Sequence, residues 1–323
     1  MLSPAGSKLR GSGLRGFACD LCAGREGHMR NLRPTVMLGL AATALATMVL
    51  AANQQPTGEP FSTEIRKLKE GLYLIPGYDG AVTGGNVAVR VTSDGAIIVD
   101  DRLPPSSAQI AGKVRSVTSQ PIKYVLSTHN HGDHTGGHPE FIKVAEIIAH
   151  RNNRANMVRG KQAAPPRLVF SDQAAVFLGG VEVQAIYKGR GHTDGDSVVY
   201  FPDLRTVHTG DLVVWGKRTD GSTLTPFVDR SNGGSLVQWI TTLDGVLELD
   251  FDTAIPGHGP VLTRDQVRTF RQNLVTLRQR MTDVVKSGAK KEDLPTRLKT
   301  DDLGWPFPPE RLNELWDEFG SGR

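Results

Sequence analysis

Cysteine is almost missing from this chain. The 323 residues hold two, Cys19 and Cys22, and both precede everything that reads as folded chain. A disulfide framework is therefore excluded, and a chain of this length buries a core without one. The pair forms a solitary C-x-x-C, "CDLC", with no second pair to complete a zinc site. A surplus of charge is missing too. Residues 1–52 carry six Lys/Arg and two Asp/Glu, and subtracting six from 38 and two from 34 leaves 32 of each sign in the remainder. A neutral body gives no support for nucleic-acid binding, which depends on a basic surface. Low-complexity tracts and short repeats do not occur, so a solenoid is excluded. No G-x-S-x-G occurs, which removes the serine elbow of the common esterases.

Only one long apolar run exists, "TVMLGLAATALATMVLAA" at 35–52. It follows the basic "MRNLRP" and precedes the polar "NQQPTGEP", with small residues ending at Ala51 and Ala52. That three-part layout predicts a secretory signal over 29–52 rather than a span, which needs about 20 apolar residues. Met29 then reads as the start, with 1–28 an extension ahead of it and 53–64 a linker. The expected location is periplasmic or secreted. The expected mature chain has no cysteine and no stable membrane span.

The body alternates strands with helices. "GLYLIPG" and "GGNVAVRVTSDGAIIVDD" read as strands, the second folding back at Ser93-Asp94-Gly95. A helix is expected over 106–117 and a buried strand over 122–128. "PEFIKV", "AEIIAH" and "RNNRANMVRG" read as helix, strand and helix, and 174–189 as a hairpin turning at Gly179-Gly180. Strands follow at 197–202, 206–214 and 251–259, with helices at 235–249 and 264–288, the last capped by Thr263. The pattern predicts mixed sheets face to face with helices outside. The folded domain is expected over 65–288, with a helical tail, 289–323, packed on it.

Four of the nine histidines crowd into "STHNHGDHTGGH" at 127–138, directly after the apolar strand "IKYVL". "GRGHTDGDS" adds His192, "HTGDLV" adds Asp211 and "IPGHGP" adds His258, each beside a strand or glycines that can aim it at a shared site. Imidazole and carboxylate are zinc ligands. His129, His131 and His192 form one expected set of three nitrogens with a fourth position open. Asp133, His134 and His258 form a second, and Asp211 has two oxygens with which to bridge. His138, His150 and His208 read as structural.

"THNHGDH" resembles the H-x-H-x-D-H motif of the metallo-β-lactamase superfamily, and His192, Asp211 and His258 match its later ligand positions. The resemblance covers residues 65–285. It implies an αββα sandwich, an α/β fold of two mixed sheets flanked by helices, with the site at one edge. It also implies two zinc ions per chain, with iron or manganese as alternatives. A hydroxide between the metals would be the nucleophile, oriented by Asp133, because metals lower the pKa of water to about 7. Aspartate at 211 resembles the glyoxalase II, lactonase and phosphodiesterase branches, since the β-lactamases usually place cysteine or serine there. No long basic extension or flavodoxin-like domain accompanies the body. An exported chain also argues against the intracellular thioester of glyoxalase II.

The expected substrate is a small acyl compound: ester, lactone, thioester or amide, with a β-lactam as a further option. Tyr78, Trp215 and Phe227 are the candidate substrate walls. Two alternatives stay open. One is a true β-lactamase. The other is a mononuclear iron dioxygenase of sulfur compounds using His129, His192 and Asp211, a set that suits iron. No oligomeric state follows from the sequence.

Overall fold

The computed structural model describes residues 62–320. The leader, the C-x-x-C and residues 53–61 lie outside the described residues. The described residues all lie in one compact unit. Among the described residues, no helix is long and apolar enough to cross a membrane.

The first sheet has seven strands in chain order: β1 (Arg66–Lys69), β2 (Leu72–Ile75), β3 (Val87–Val91), β4 (Ala96–Val99), β5 (Ile122–Ser127), β6 (Glu146–His150) and β7 (Leu168–Phe170). β1 to β4 are antiparallel and β4 to β7 parallel. The parallel half is threaded by helices α1 (Pro104–Arg115), α2 (Gly132–Thr135), α3 (His138–Phe141) and α4 (Arg151–Arg159). The second sheet holds β8 (Gln173–Leu178), β9 (Val181–Ile186), β10 (Val198–Phe201), β11 (Thr206–Val214), β12 (Thr253–His258) and β13 (Leu262–Thr263), with only β11 and β12 parallel. Helices α5 (Leu236–Leu247), α6 (Arg264–Lys286), α7 (Leu294–Arg297) and α8 (Pro309–Phe319) complete the described chain.

Side chains alternate across a strand, so one strand feeds two cores. In β4, Ile97 and Val99 face the second sheet and meet Val183, Val199 and Phe201. Ala96 and Ile98 face the other way and meet Ile110 and Val114 of α1. The outer face of the second sheet is covered by Trp239 and Leu243 of α5 and by Phe270, Leu274 and Leu277 of α6. The result is two mixed sheets flanked by helices, the αββα arrangement.

Helix α6 starts at a reciprocal cap: Thr263 accepts from the Gln266 backbone, and the Gln266 side chain accepts from the Thr263 backbone. Three strands are not among those expected from the sequence: β1, which is mostly charged, and β7 and β13, which at three and two residues are too short to show a period. The "PEFIKV" segment yields only the single turn α3, because Thr-Gly-Gly-His-Pro places a proline at the helix start and β6 begins at Glu146.

The C-terminal helix is tied to the second sheet's helical cover. Leu312 and Leu315 are buried in that core. Glu318 accepts hydrogen bonds from the Ser235 hydroxyl at 2.6 Å and from the Leu236 N–H at 2.8 Å. It therefore satisfies donors at the start of α5, where a negative charge also complements the helix dipole. Glu318→Ala should cost about 1–2 kcal/mol, read as a lower urea midpoint at unchanged slope. An unchanged midpoint would mean that α8 does not hold α5.

Candidate metal centre

The first sheet's central strands end at the site. β4 runs into Asp100, and β5 runs into Thr128 and His129. Asp100 has φ +63° and Arg102 has φ +65°, a left-handed conformation rarely adopted outside glycine. The turn aims the Asp100 carboxylate back under β5. It accepts from the Thr128 N–H and hydroxyl, both at 2.8 Å, and from His134 Nδ1 at 2.7 Å. The guanidinium of Arg102 donates to the carbonyls of Ile75, Pro76 and Gly85 and fixes the turn on the neighbouring loop. Asn156 of α4 ties the two histidine loops together, donating to Asn130 Oδ1 and Asp194 Oδ1. Asp196 pins the His192 loop by accepting from the Thr193 N–H and hydroxyl and from Gly191 N–H.

Four of the five site histidines have one ring nitrogen committed to the protein, while His258 Nδ1 is buried with no hydrogen-bond partner. His192 Nδ1 donates to the Phe227 carbonyl at 2.6 Å, and His131 Nε2 donates to Asp229 at 2.8 Å. His134 Nδ1 donates to Asp100, and His129 Nδ1 lies 3.1 Å from the Thr128 hydroxyl, whose own proton goes to Asp100. These bonds fix the tautomers and turn the remaining lone pairs inward. His131 Nδ1 and His192 Nε2 then face each other at 2.9 Å, and His134 Nε2 and His258 Nε2 at 3.2 Å. His129 Nε2 and Asp211 Oδ1 are buried with no hydrogen-bond partner. Nitrogens held this close need a proton or a metal ion between them. The donor set of neutral nitrogen and carboxylate oxygen suits zinc.

Asp211 spans the two halves. Its Oδ2 lies 3.7 Å from His192 Nε2 and 4.0 Å from His129 Nε2. Its Oδ1 lies 3.3 Å from His134 Nε2 and 3.4 Å from His258 Nε2. Asp133 Oδ2 sits 3.1 Å from His258 Nε2. Ligand atoms of His129, His131 and His192, of Asp133, His134 and His258, and of His129, His134 and Asp211 cluster within 4.8 Å inside each group. All seven residues expected from the sequence thus come together. Asp211 stands inside β11, not at its end. The pairing of β11 with β12 is irregular on both sides of Gly210, whose φ is +52°, and this bulge turns Asp211 into the site. On the neighbouring strand a Cβ at Gly257 would overlap the Asp211 carboxylate, so that position tolerates no side chain.

The two halves differ in charge. Burial pushes His129 well below the ordinary imidazole range, and burial with His131 nearby lowers His192 to about 4. For His134 burial acts downward, but Asp133, Asp211 and Asp100 outweigh it and raise the ring well above the ordinary imidazole range. His258 likewise rises to about 9 against its burial, through Asp211 and Asp133. The half that holds Asp133 and Asp211 keeps its imidazoles basic, so a metal ion entering it competes with protons.

The site opens into a cavity of about 300 Å³. Phe227 lines it, with Asp133, Asp211, Arg218 and Arg311. Tyr78 and Trp215, the other two expected walls, do not. The Trp215 side chain packs on the core of the second sheet, and the Tyr78 hydroxyl reaches the Ser62 carbonyl. His138 is buried on Asp101, His150 stacks on Tyr187, and His208 contacts the Asn86 carbonyl, so none of the three joins the cluster. Sequence reasoning missed Asp100, Asp229, Arg218 and Arg311. Asp100 had a signal, two acids ending an apolar strand. Arg311, in a tail helix some fifty residues past His258, had none.

Asp229 touches no expected ligand nitrogen that faces the cavity, yet it alone fixes the His131 tautomer. It also accepts from the Ser231 hydroxyl and the Asn232 side chain, both at 2.6 Å, so its position is over-determined. Asp229→Ala should weaken metal binding about ten- to a hundredfold, measured by competition with a chromogenic chelator. His150→Ala should leave it unchanged. Equal effects of the two would overturn the assigned role of Asp229.

A 2,4-dinitroanisole O-demethylase subunit alpha from Nocardioides sp. (strain JS1661) is 30% identical over 208 residues, 62% of this chain and 57% of that relative, less than two thirds of its length. A metallo-beta-lactamase type 2 from Elizabethkingia meningoseptica is 26% identical over 199 residues, 59% of this chain and 76% of that one. Among solved structures, the DIM-1 metallo-beta-lactamase superposes with a TM-score of 0.56 at 20% identity, covering 68% of this chain and 99% of its own. The metallo-beta-lactamase from Pontibacter korlensis gives 0.57 at 18% identity, covering 65% and 98%. The family described as the metallo-beta-lactamase superfamily matches residues 81–258, more than half of the chain. With its fold, its clustered histidines and that match, the chain belongs to the metallo-beta-lactamase superfamily of metal-dependent hydrolases.

Proposed function

We propose that the chain is an exported hydrolase that uses two zinc ions to cleave a small acyl substrate, an ester, lactone, thioester or amide. The observation that carries the reading is Asp211, with one oxygen turned to each half of the cluster. His129, His131 and His192 would hold one metal, and Asp133, His134 and His258 the other. The metal pair supplies a water acidic enough to attack at neutral pH and a Lewis acid for the substrate carbonyl.

The protein's own groups do the rest. Asp100, Asp229 and the Phe227 carbonyl hold three of the imidazoles in the tautomers that leave a lone pair inward. Asp133, in the cavity wall, is placed to accept a hydrogen bond from the attacking water and orient it. Phe227 gives the substrate an apolar wall. Carboxylate at 211 supports the glyoxalase II, lactonase and phosphodiesterase side of the superfamily over the β-lactamases. The apolar segment after "MRNLRP" supports export, and N-terminal sequencing of the exported chain should begin near residue 52. A full-length cytoplasmic chain would contradict it.

His192→Ala should remove metal from its half and lower kcat by about a hundredfold or more, since the reactive water depends on that metal. The assay is a panel of lactones, aryl esters, thioesters, phosphodiesters and a chromogenic cephalosporin on the zinc-loaded chain. The reading expects turnover of an acyl substrate by the wild type. Activity on none of them, or a His192→Ala variant as fast as wild type, would sink it. Asp211→Asn keeps the size and loses the charge, so it should weaken the second metal about ten- to a hundredfold, with turnover partly restored by excess zinc. Unchanged affinity for both metals would place Asp211 outside the site.

A further inference from the structure

The cavity has a second chemical character that the metal ligands do not use. Its wall opposite the histidine loops carries two guanidinium groups, Arg218 and Arg311. Arg311 comes from α8, beyond the residues 81–258 that the superfamily description matches. The helix is held by the burial of Leu312 and Leu315 and by the Glu318 bonds to α5, so the guanidinium sits on a fixed support. It lies over the Phe227 ring, 3.5 Å from its centroid. Phe227 in turn stacks near His131 and holds His192 through its carbonyl. The cation is therefore positioned one side chain away from the expected metals.

Neither arginine is saturated by the protein. Arg311 Nη1 is buried and has no hydrogen-bond partner. Its nearest carboxylate is Glu314, at 3.8 Å. Glu314 Oε2 is likewise buried with no hydrogen-bond partner, so the two groups face each other across a gap too wide for a hydrogen bond, and burial raises the Glu314 carboxyl to about 7. Arg218 donates through Nη1 to the Thr223 carbonyl at 2.9 Å. No carboxylate within 4.0 Å pairs with it among the described residues. A buried donor without an acceptor is costly in a resting fold unless a ligand supplies the acceptor. Arginine's planar fork matches a carboxylate, and the charge-assisted bond is roughly twice as strong as a neutral one.

We propose that Arg311, with Arg218, is a carboxylate-recognition subsite at the mouth of the metal cavity, so that the preferred substrate is an acyl compound carrying a free carboxylate away from the bond that is cut. The proposal rests on the hydrolase reading for where the cut falls. The carboxylate docks on the arginines, Phe227 flanks the intervening carbons, and the carbonyl is presented to the histidine side.

The test uses the zinc-loaded full chain, its Arg311→Met variant and, as a conservative partner, Arg311→Lys. Methionine keeps much of the apolar stem and removes the charge. Two 4-nitrophenyl esters are compared, the neutral acetate and the monoester of glutaric acid. Arg311→Met should lower kcat/KM for the glutarate ester about tenfold more than for the acetate, mostly through KM, and Arg311→Lys should recover part of the difference. A parallel calorimetric arm measures benzoate and its neutral analogue benzamide. Benzoate should weaken about tenfold in Arg311→Met, and benzamide by much less. Equal losses for both esters, or for both aromatic probes, would overturn the subsite. Failure of the wild type to hydrolyse either ester counts against the hydrolase reading, and the calorimetric arm then decides the subsite by itself. A melting temperature taken on each variant separates loss of the subsite from loss of the fold.

Discussion

Inward-facing lone pairs are the constraint on which the site depends. Four imidazoles have their outer N–H groups spent or their inner nitrogens orphaned, and two carboxylates lean on the same point. Such an arrangement needs a proton or a metal ion among its donor atoms, and the fold holds it by strong reinforcement around it. Asp100 and Arg102 take left-handed backbone, β11 bulges at Gly210, and Gly257 gives up a side chain to make room for Asp211. Strain of this kind persists only where the surroundings over-determine it. Here the surroundings are the ends of five buried strands, β4, β5, β10, β11 and β12, and the loops that follow or precede them.

The fold was legible where burial writes a period into the chain. β3 and β4 alternate between two cores, and the turn at Ser93-Asp94-Gly95 marks their hairpin. Helix α6 announces itself by its apolar stripe and by Thr263 and Gln266 at its start. What stayed hidden has a common physical cause. β1 is Arg-Lys-Leu-Lys, an edge strand whose side chains largely meet solvent. β13 is two residues long, and β7 three. Edges are held by backbone bonds to one neighbour and need no hydrophobic pattern, and charge on them discourages pairing with other chains.

The site was legible to a similar depth. The residues whose donor atoms converge had to be histidine or aspartate near a strand end or a glycine, and all seven were readable from that chemistry. Residues that act through them were not. Asp229 and Asp100 hold imidazoles in place, but a lone aspartate in a loop has many reasons to exist. The aromatic walls divided three ways for a reason of packing. Phe227 is kept at the cavity by the bond from His192 to its carbonyl, while Trp215 finds a larger apolar surface on the second sheet. Arg311 is reached only through the tertiary fold, because α8 returns to the site after a long excursion over α6.

The central claim is that the converging nitrogens and carboxylates form a two-metal site bridged by Asp211. Anomalous diffraction at the zinc edge, from crystals of the zinc-loaded chain, tests it most directly. The account predicts two peaks about 3.5–4 Å apart, one against His129, His131 and His192, the other against Asp133, His134 and His258, with the Asp211 carboxylate between them. A single peak on the three-histidine side, or two peaks with Asp211 turned away from both, would contradict it.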